Sequence, residues 1–278
     1  MSSGVVADLF FMQSPANGER AYIKNNAGPD ARNNRNYILE PKTVTVENYR
    51  TKLNSESITL DTAGFQLFSN RPTQFIKDGE VQVEGYYDES IALLKELTGA
   101  SKVVIFDHTI RRRRPGESGD NPDKRQPAAI AHVDQTFKAT IARVHRHLPP
   151  EDAPGLLAKR FQIINLWRPI ENPATDWPLA LCHFSSVDPE KDVEPIDLIY
   201  PDRKGETYGV KYNEHQRWGY FKDMRDPMSL FSLNGFNESV QDGSVALYTP
   251  HTAFADPTTP EGTPFRQSIE IRALVFYD

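Results

Sequence analysis

Cysteine is almost absent from this chain. The single Cys182 among 278 residues excludes an intrachain disulfide and a cysteine-based zinc site, and it fits a reducing compartment. Long apolar runs are missing too. The apolar stretch within residues 1 to 12 has no basic flank and is too short to span a bilayer or to serve as a signal peptide, so no membrane association and a cytoplasmic location are expected. Nor is there an excess of positive charge: a net charge of -6 and a pI near 5.7 remove any general attraction to nucleic acid. There is no GxGxxG, no P-loop and no internal repeat. Small-molecule chemistry is the class left standing.

What is present reads as strands. A length of 278 residues suits one large β-rich domain spanning the whole chain, with ample core. Val5 to Met12, a stretch around Phe65 and Phe68 within Thr59 to Ser69, Val103 to Phe106, Phe161 to Ile170, Leu179 to Phe184, Val210 to Tyr212, Trp218 to Phe221, Ser229 to Leu233, Ser244 to Tyr248 and Ser268 to Tyr277 are strand candidates. Helical spacing of Ile91, Leu93, Leu94 and Leu97 predicts a helix over Asp88 to Leu97, stopped by Gly99, and Phe137 to His147 is a second helix closed by Pro149 and Pro150. Asn25 to Asn36 and the acidic Glu190 to Gly209 read as loops. Arg111 to Pro127 mixes both charge signs with glycine and proline, which predicts a solvated surface loop, with a cover over an active-site mouth as the sharper reading. Many short strands separated by turns indicate a sandwich or barrel.

Chemistry concentrates in His132-Val133-Asp134. Residues two apart on a strand point to one face, so His132 and Asp134 can offer one nitrogen and one oxygen to a single ion. Taken alone, a surface or core pair is the more economical reading of so short a motif. His251, just past an apolar strand, is the candidate third ligand. Two histidines and one carboxylate on one side of a metal suit non-haem Fe(II) oxygenases. Arg266, two residues before Ser268, is placed to hold the remote carboxylate of a co-substrate such as 2-oxoglutarate, through a bidentate guanidinium with a hydroxyl beside it. Arg272 shares its strand parity and competes; the serine partner favours Arg266. Among the other histidines, His108 lies on the opposite face from Asp107, and His145 and His147 belong to the exposed side or end of a helix. Polar-neighbour roles are expected of His183 and His215, with a place near the substrate as the alternative.

The ordered landmarks GFQLF (Gly64 to Phe68), GYYDES (Gly85 to Ser90), HVDQT (His132 to Thr136), INLWRPI (Ile164 to Ile170), DWPLALC (Asp176 to Cys182), GETY (Gly205 to Tyr208), QRWGYF (Gln216 to Phe221), PHTAF (Pro250 to Phe254) and RQSIEIRALVF (Arg266 to Phe276) cover most of the chain. Together they resemble the fungal gibberellin-desaturase-like or aspergillic-acid-hydroxylase-like family of Fe(II)/2-oxoglutarate oxygenases of secondary metabolism. The resemblance implies a mostly β double-stranded β-helix, a cupin-like jelly roll with flanking helices, whose N-terminal part, roughly 100 residues, flanks the core. It carries the iron ligands to His132, Asp134 and His251 and the 2-oxoglutarate contact to Arg266 with Ser268, with O2 as the other co-substrate. Trp167 and Arg168 become the first substrate-pocket candidates, against core packing and an internal salt bridge respectively. The chain departs from the family's pattern at His183 and at Phe236-Asn237-Glu238-Ser239. The reaction implied is hydroxylation, desaturation or cyclisation at an unactivated C–H of a small metabolite, preferably amino-acid-derived. An iron oxidase independent of 2-oxoglutarate and a non-catalytic jelly-roll binding protein are the alternatives. The oligomeric state is left open.

Overall fold

The computed structural model describes residues 4–24, 35–53, 58–117, 124–225, 228–236 and 245–278. The expected loop from Asn25 to Asn36 and the departure at Asn237 to Ser239 lie largely or wholly outside the described residues. In chain order the strands are β1 (Gly4–Gln13), β2 (Tyr22–Lys24), β3 (Ile38–Asn48), β4 (Phe65–Phe68), β5 (Ile76–Lys77), β6 (Glu80–Val81), β7 (Lys102–Arg112) and β8 (His132–Val133). They continue with β9 (Phe161–Pro169), β10 (Leu179–Cys182), β11 (Val193–Ile199), β12 (Lys204–Val210), β13 (Trp218–Tyr220), β14 (Ser229–Phe236), β15 (His251–Ala253) and β16 (Gln267–Phe276). The helices are α1 (Leu60–Ala63), α2 (Val83–Thr98), α3 (Phe137–His147) and α4 (Ala153–Leu157).

Nine of these strands form one sheet in the order β1-β3-β13-β10-β15-β8-β12-β11-β2, and five form the facing sheet in the order β4-β14-β9-β16-β7. Neighbours distant in sequence and a core enclosed between two curled sheets make this the expected jelly roll. The N-terminal strands extend the larger sheet: β1 pairs with β3 along its whole length, and β3 with β13. In β1 the inward Leu9 and Phe11 are each 1% exposed while the alternate Val6 faces solvent, as a strand with one buried face requires.

β9 is buried at every position because it is central in the smaller sheet and covered on both faces. On the outer face, Ile164, Leu166, Ile269 and Ile271 pack against Tyr86, Leu93 and Leu94 of α2. Each such fully buried aliphatic or aromatic side chain stabilises the fold by about 1.5–3 kcal/mol. Strand parity then sends Asn165, Trp167, Ser268, Glu270 and Arg272 inward, towards the larger sheet. That assignment builds the site.

Several elements differ from expectation, each for a local reason. Thr59 to Ser69 is not one strand: Thr59 caps the short α1, and Gly64, at φ +88°, ends it before β4 begins. The Val103 to Phe106 strand runs on to Arg112, because β7 pairs with β16 throughout and so takes Arg111 and Arg112 out of the surface loop. Glu190 to Gly209 is not a loop but the antiparallel hairpin β11–β12. Asp197, Lys204 and Glu206 lie on one strand face while Ile196, Leu198, Thr207 and Gly209 line the other, so local polarity hid a half-buried strand pair. Within Ser244 to Tyr248 the described residues carry no strand; β15 starts only at His251.

Candidate active site

The short β8 lies between β15 and β12, and its register sets His132 opposite both His251 and Gly209. A side chain at Gly209 would collide with Met12 and Ile196, so glycine lets the β12 backbone approach here. Thr207 on β12 donates its hydroxyl to the Val133 carbonyl at 2.6 Å, fixing the strand that carries His132. The two imidazole rings lie 4.4 Å apart, centre to centre.

Each ring is held from behind. His132 Nδ1 is 2.7 Å from the Ile130 carbonyl and His251 Nδ1 is 3.0 Å from the Thr249 carbonyl. A carbonyl only accepts, so in both rings Nδ1 carries the proton and Nε2 keeps its lone pair. Asp134 Oδ1 sits 3.3 Å from His132 Nε2 and 3.9 Å from His251 Nε2. Donor atoms of the three residues all fall within 4.8 Å of one another.

The second carboxylate oxygen of Asp134 faces away from the histidines and accepts from Asn165 Nδ2 at 2.7 Å and from Arg272 Nε at 2.8 Å. Burial by itself would raise the Asp134 carboxyl, but Arg272, and after it the two histidines, hold it well below the usual carboxylate range. Burial, followed by the neighbouring His132, pushes His251 down to about 4. An ionised carboxylate, a neutral His251 and two Nε2 lone pairs turned to one point form the donor set that a divalent metal needs. The residues present therefore fit an iron(II) ion.

Arg266 enters the same narrow recess, lined also by Arg111, Glu270, Arg272 and the three donors. Its Nε and Nη2 donate to Ser268 Oγ at 3.2 and 3.1 Å, and its Nη1 donates to the Trp177 carbonyl at 2.8 Å. The guanidinium carbon lies 5.0 Å from the centre of the Trp167 ring. Asp176 accepts from the Arg266 backbone N–H and spends its other oxygen on Arg113, so among the described residues no carboxylate forms an ion pair with the Arg266 guanidinium. Burial and the nearby Arg111 lower its pKa to about 9. A buried cation with this little compensation suits an anionic guest, and a dicarboxylate chelating a metal at its other end is one.

Arg272 lacks that vacancy. It bonds Asp134, Glu270 and Asp107, and thus braces the Asp134 carboxylate. Trp167 faces inward and stacks over Arg266. Arg168 does not reach the site, which corrects its assignment to the substrate pocket: successive strand residues point to opposite faces, so its side chain lies against α2, near the Tyr86 ring and 3.9 Å from Glu89. His183 is buried and bonded to Ser185, and His147 stacks on Phe106 rather than standing free on its helix.

A second cavity of about 480 Å³ opens beside His132 and Asp134. Arg111 at the end of β7 and Arg125, Gln126 and Pro127 line it. Asn165, Glu270 and Arg143 were missed from sequence. A polar Asn165 inside the otherwise apolar INLW run was the one legible signal.

A jelly roll enclosing two histidines and one carboxylate on adjacent elements defines the class of mononuclear non-haem iron oxygenases. Residues 9–276 match the family model described as an oxidoreductase/YMDC permease-like domain. The chain is 32% identical over 266 residues to the hydroxylase/desaturase poxK of Penicillium oxalicum, covering 86% of this chain and 80% of that protein. It is 31% identical over 279 residues to the Fe(II)/2-oxoglutarate-dependent dioxygenase nvfI of Aspergillus novofumigatus, covering 97% and 96% respectively. A solved structure of the iron and alpha-ketoglutarate-dependent endoperoxidase NvfI superposes with a TM-score of 0.84 at 28% identity, over 99% of this chain and 98% of that one. The chain belongs to this family of fungal Fe(II)/2-oxoglutarate-dependent dioxygenases and hydroxylase/desaturases of secondary metabolism, and it is an oxidoreductase. Among the described residues no helix is long and apolar enough to cross a membrane.

Proposed function

We propose that His132, Asp134 and His251 hold the iron of this enzyme, and that Arg266 with Ser268 holds the far carboxylate of 2-oxoglutarate. When bound, iron(II), 2-oxoglutarate and O2 supply oxidative decarboxylation to succinate and CO2, coupled to removal of hydrogen from an unactivated C–H of a small metabolite. The observation that carries the reading is the buried Arg266, without a carboxylate partner among the described residues and in the same recess as the three donors.

The protein's own part is placement. Arg272 and Asn165 keep Asp134 ionised and turned so that Oδ1 faces the histidines. The Ile130 and Thr249 carbonyls keep each Nε2 unprotonated. Trp177 and Ser268 fix the Arg266 fork before any ligand arrives, which lowers the ordering cost of binding. Whether hydroxylation, desaturation or cyclisation results depends on where the next substrate atom sits relative to the iron site. The landmark motifs support a place in the gibberellin-desaturase-like or aspergillic-acid-hydroxylase-like group. They also favour an amino-acid-derived substrate, and the lone thiol fits cytoplasmic work.

The test is anaerobic addition of Fe(II) and then 2-oxoglutarate to the purified protein. A visible charge-transfer band from the chelated keto acid is expected, and Arg266→Gln weakens 2-oxoglutarate binding about tenfold or more. No band in the unaltered protein refutes the reading. A band without succinate release during turnover moves the chain to the oxidase alternative.

A further inference from the structure

Four arginines line the cavity beside the proposed iron site, Arg111, Arg125, Arg143 and Arg272, against two carboxylates, Asp107 and Asp134. Both carboxylates are already bonded to Arg272. Arg111 sends Nη1 to the Gln126 carbonyl at 2.8 Å. Arg143 is different. Its Nε donates to Gln135 Oε1 at 3.4 Å and its guanidinium lies 5.3 Å from the centre of the Phe106 ring. Among the described residues neither of its Nη groups has a hydrogen-bond partner, and it forms no ion pair. Burial lowers its pKa; Asp107 offsets part of that, while Arg146 and Arg272 add to the depression. A half-buried guanidinium facing a cavity with two open donor groups gains most from an anionic oxygen pair placed across its fork.

Its position is set by the site itself. α3 starts immediately after the Asp134-Gln135 pair, with Thr136 capping it through the Ala139 N–H at 3.0 Å, and the Gln135 bond ties the Arg143 head group back to that segment. The rest of the cavity wall is largely apolar, with Met12, Ile23, Tyr37, Ile196 and Leu198 contributing. The space therefore offers an apolar surface, the Arg143 fork, unpaired at its Nη groups among the described residues, and, between them, the face of His132 and Asp134.

We propose that the substrate is an apolar molecule bearing a carboxylate, and that Arg143 is the specificity-determining residue that binds this carboxylate and so sets which C–H faces the iron site. The proposal rests on the oxygenase reading given above. It assigns Arg143 to the substrate and leaves the 2-oxoglutarate carboxylate with Arg266.

The experiment uses the protein loaded anaerobically with Fe(II) and 2-oxoglutarate, titrated calorimetrically with 2-naphthylacetate and with its neutral analogue 2-naphthylacetamide. Both probes share the apolar body and differ in charge. The unaltered protein is expected to bind the carboxylate about tenfold or more tightly than the amide. Arg143→Gln brings the two affinities within about twofold of each other, Arg143→Lys keeps part of the preference, and neither changes the visible 2-oxoglutarate band. Equal or undetectable binding of both probes by the unaltered protein overturns the proposal. So does a carboxylate preference that survives Arg143→Gln. Should the band be missing in the unaltered protein, the oxygenase reading fails, and the same titrations on the metal-free protein still decide the role of Arg143.

Discussion

Replacing Arg272 with methionine removes the cation around which the inner polar cluster is built. Its Nε lies 2.8 Å from Asp134 Oδ2, its Nη2 2.5 Å from Glu270 Oε1, and its Nη1 3.1 Å from Asp107 Oδ2 and 3.0 Å from Thr109 Oγ1. Asp107 has a half-exposed side chain and contributes little. Asp134 and Glu270, with side chains 8% and 11% exposed, carry the effect. At an effective dielectric constant of about 20, a pair this close attracts by roughly 6 kcal/mol, most of which offsets desolvation. Removing one member of such a buried pair costs about 3–5 kcal/mol. Burial already raises the Glu270 carboxyl, so once Arg272 is gone Glu270 takes up a proton first, and the expectation falls to the lower end, about 3 kcal/mol. Asp134 also loses one of the two donors that orient it, which weakens Fe(II) binding about 10- to 100-fold. Urea denaturation of the metal-free protein at neutral pH measures the first effect, and anaerobic calorimetric titration with Fe(II) the second. Adding Glu270→Gln to the variant restores about 1 kcal/mol or more, because a neutral amide removes the cost of protonating the buried Glu270 at neutral pH. An Arg272→Met protein with unchanged urea midpoint and unchanged Fe(II) affinity would falsify this account of the cluster.

His251 is held neutral by burial, with a pKa of about 4 against an ordinary value near 6.5. Its folded pKa is depressed, so its contribution is complete above about pH 6.5; as pH falls towards 4, the metal-free protein loses up to about 3 kcal/mol, read as a falling urea midpoint that His251→Asn flattens. Arg168→Met is expected to leave stability unchanged or raise it by about 1–2 kcal/mol, since among the described residues Nε and Nη1 of this buried arginine have no hydrogen-bond partner and Glu89 is 3.9 Å away. It should also leave 2-oxoglutarate affinity unaltered; a weakened affinity would return Arg168 to the site. At Gly64, φ is +88° and an added Cβ would stand 2.7 Å from Thr249 Oγ1 and 2.8 Å from the Tyr248 carbonyl, so Gly64→Ala should cost about 2 kcal/mol or more. Because the Thr249 carbonyl orients His251, the same variant should bind Fe(II) more weakly in calorimetry.

Local chemistry was readable where one segment carries it. Phe137 to His147 is a helix at its expected limits, because its cap at Thr136 and the prolines after it act within a few residues. The candidate donors His132, Asp134 and His251, which the structure brings together, and the Arg266 and Ser268 pair beside them were nameable from residue type, spacing and resemblance. The hairpin β11–β12 was not readable as strands, although it supports His132 through Gly209 and Thr207, because charged residues on its solvent face dominate the local composition.

The amino-acid sequence by itself determined the inventory: one cysteine, a polar-tipped strand bearing H-x-D, a distant histidine after a proline, and an arginine two positions before a serine. Only the tertiary structure decided who meets whom. It set His251 opposite His132 across β8 and β15, turned Arg272 from a rival of Arg266 into the brace of Asp134, and sent Arg168 to the outer face while its neighbour Trp167 lies over Arg266. The physical reason is that side-chain identity is local, whereas strand register and the face a side chain occupies are fixed by pairing between segments far apart in the chain, and a shift of one residue exchanges the two faces.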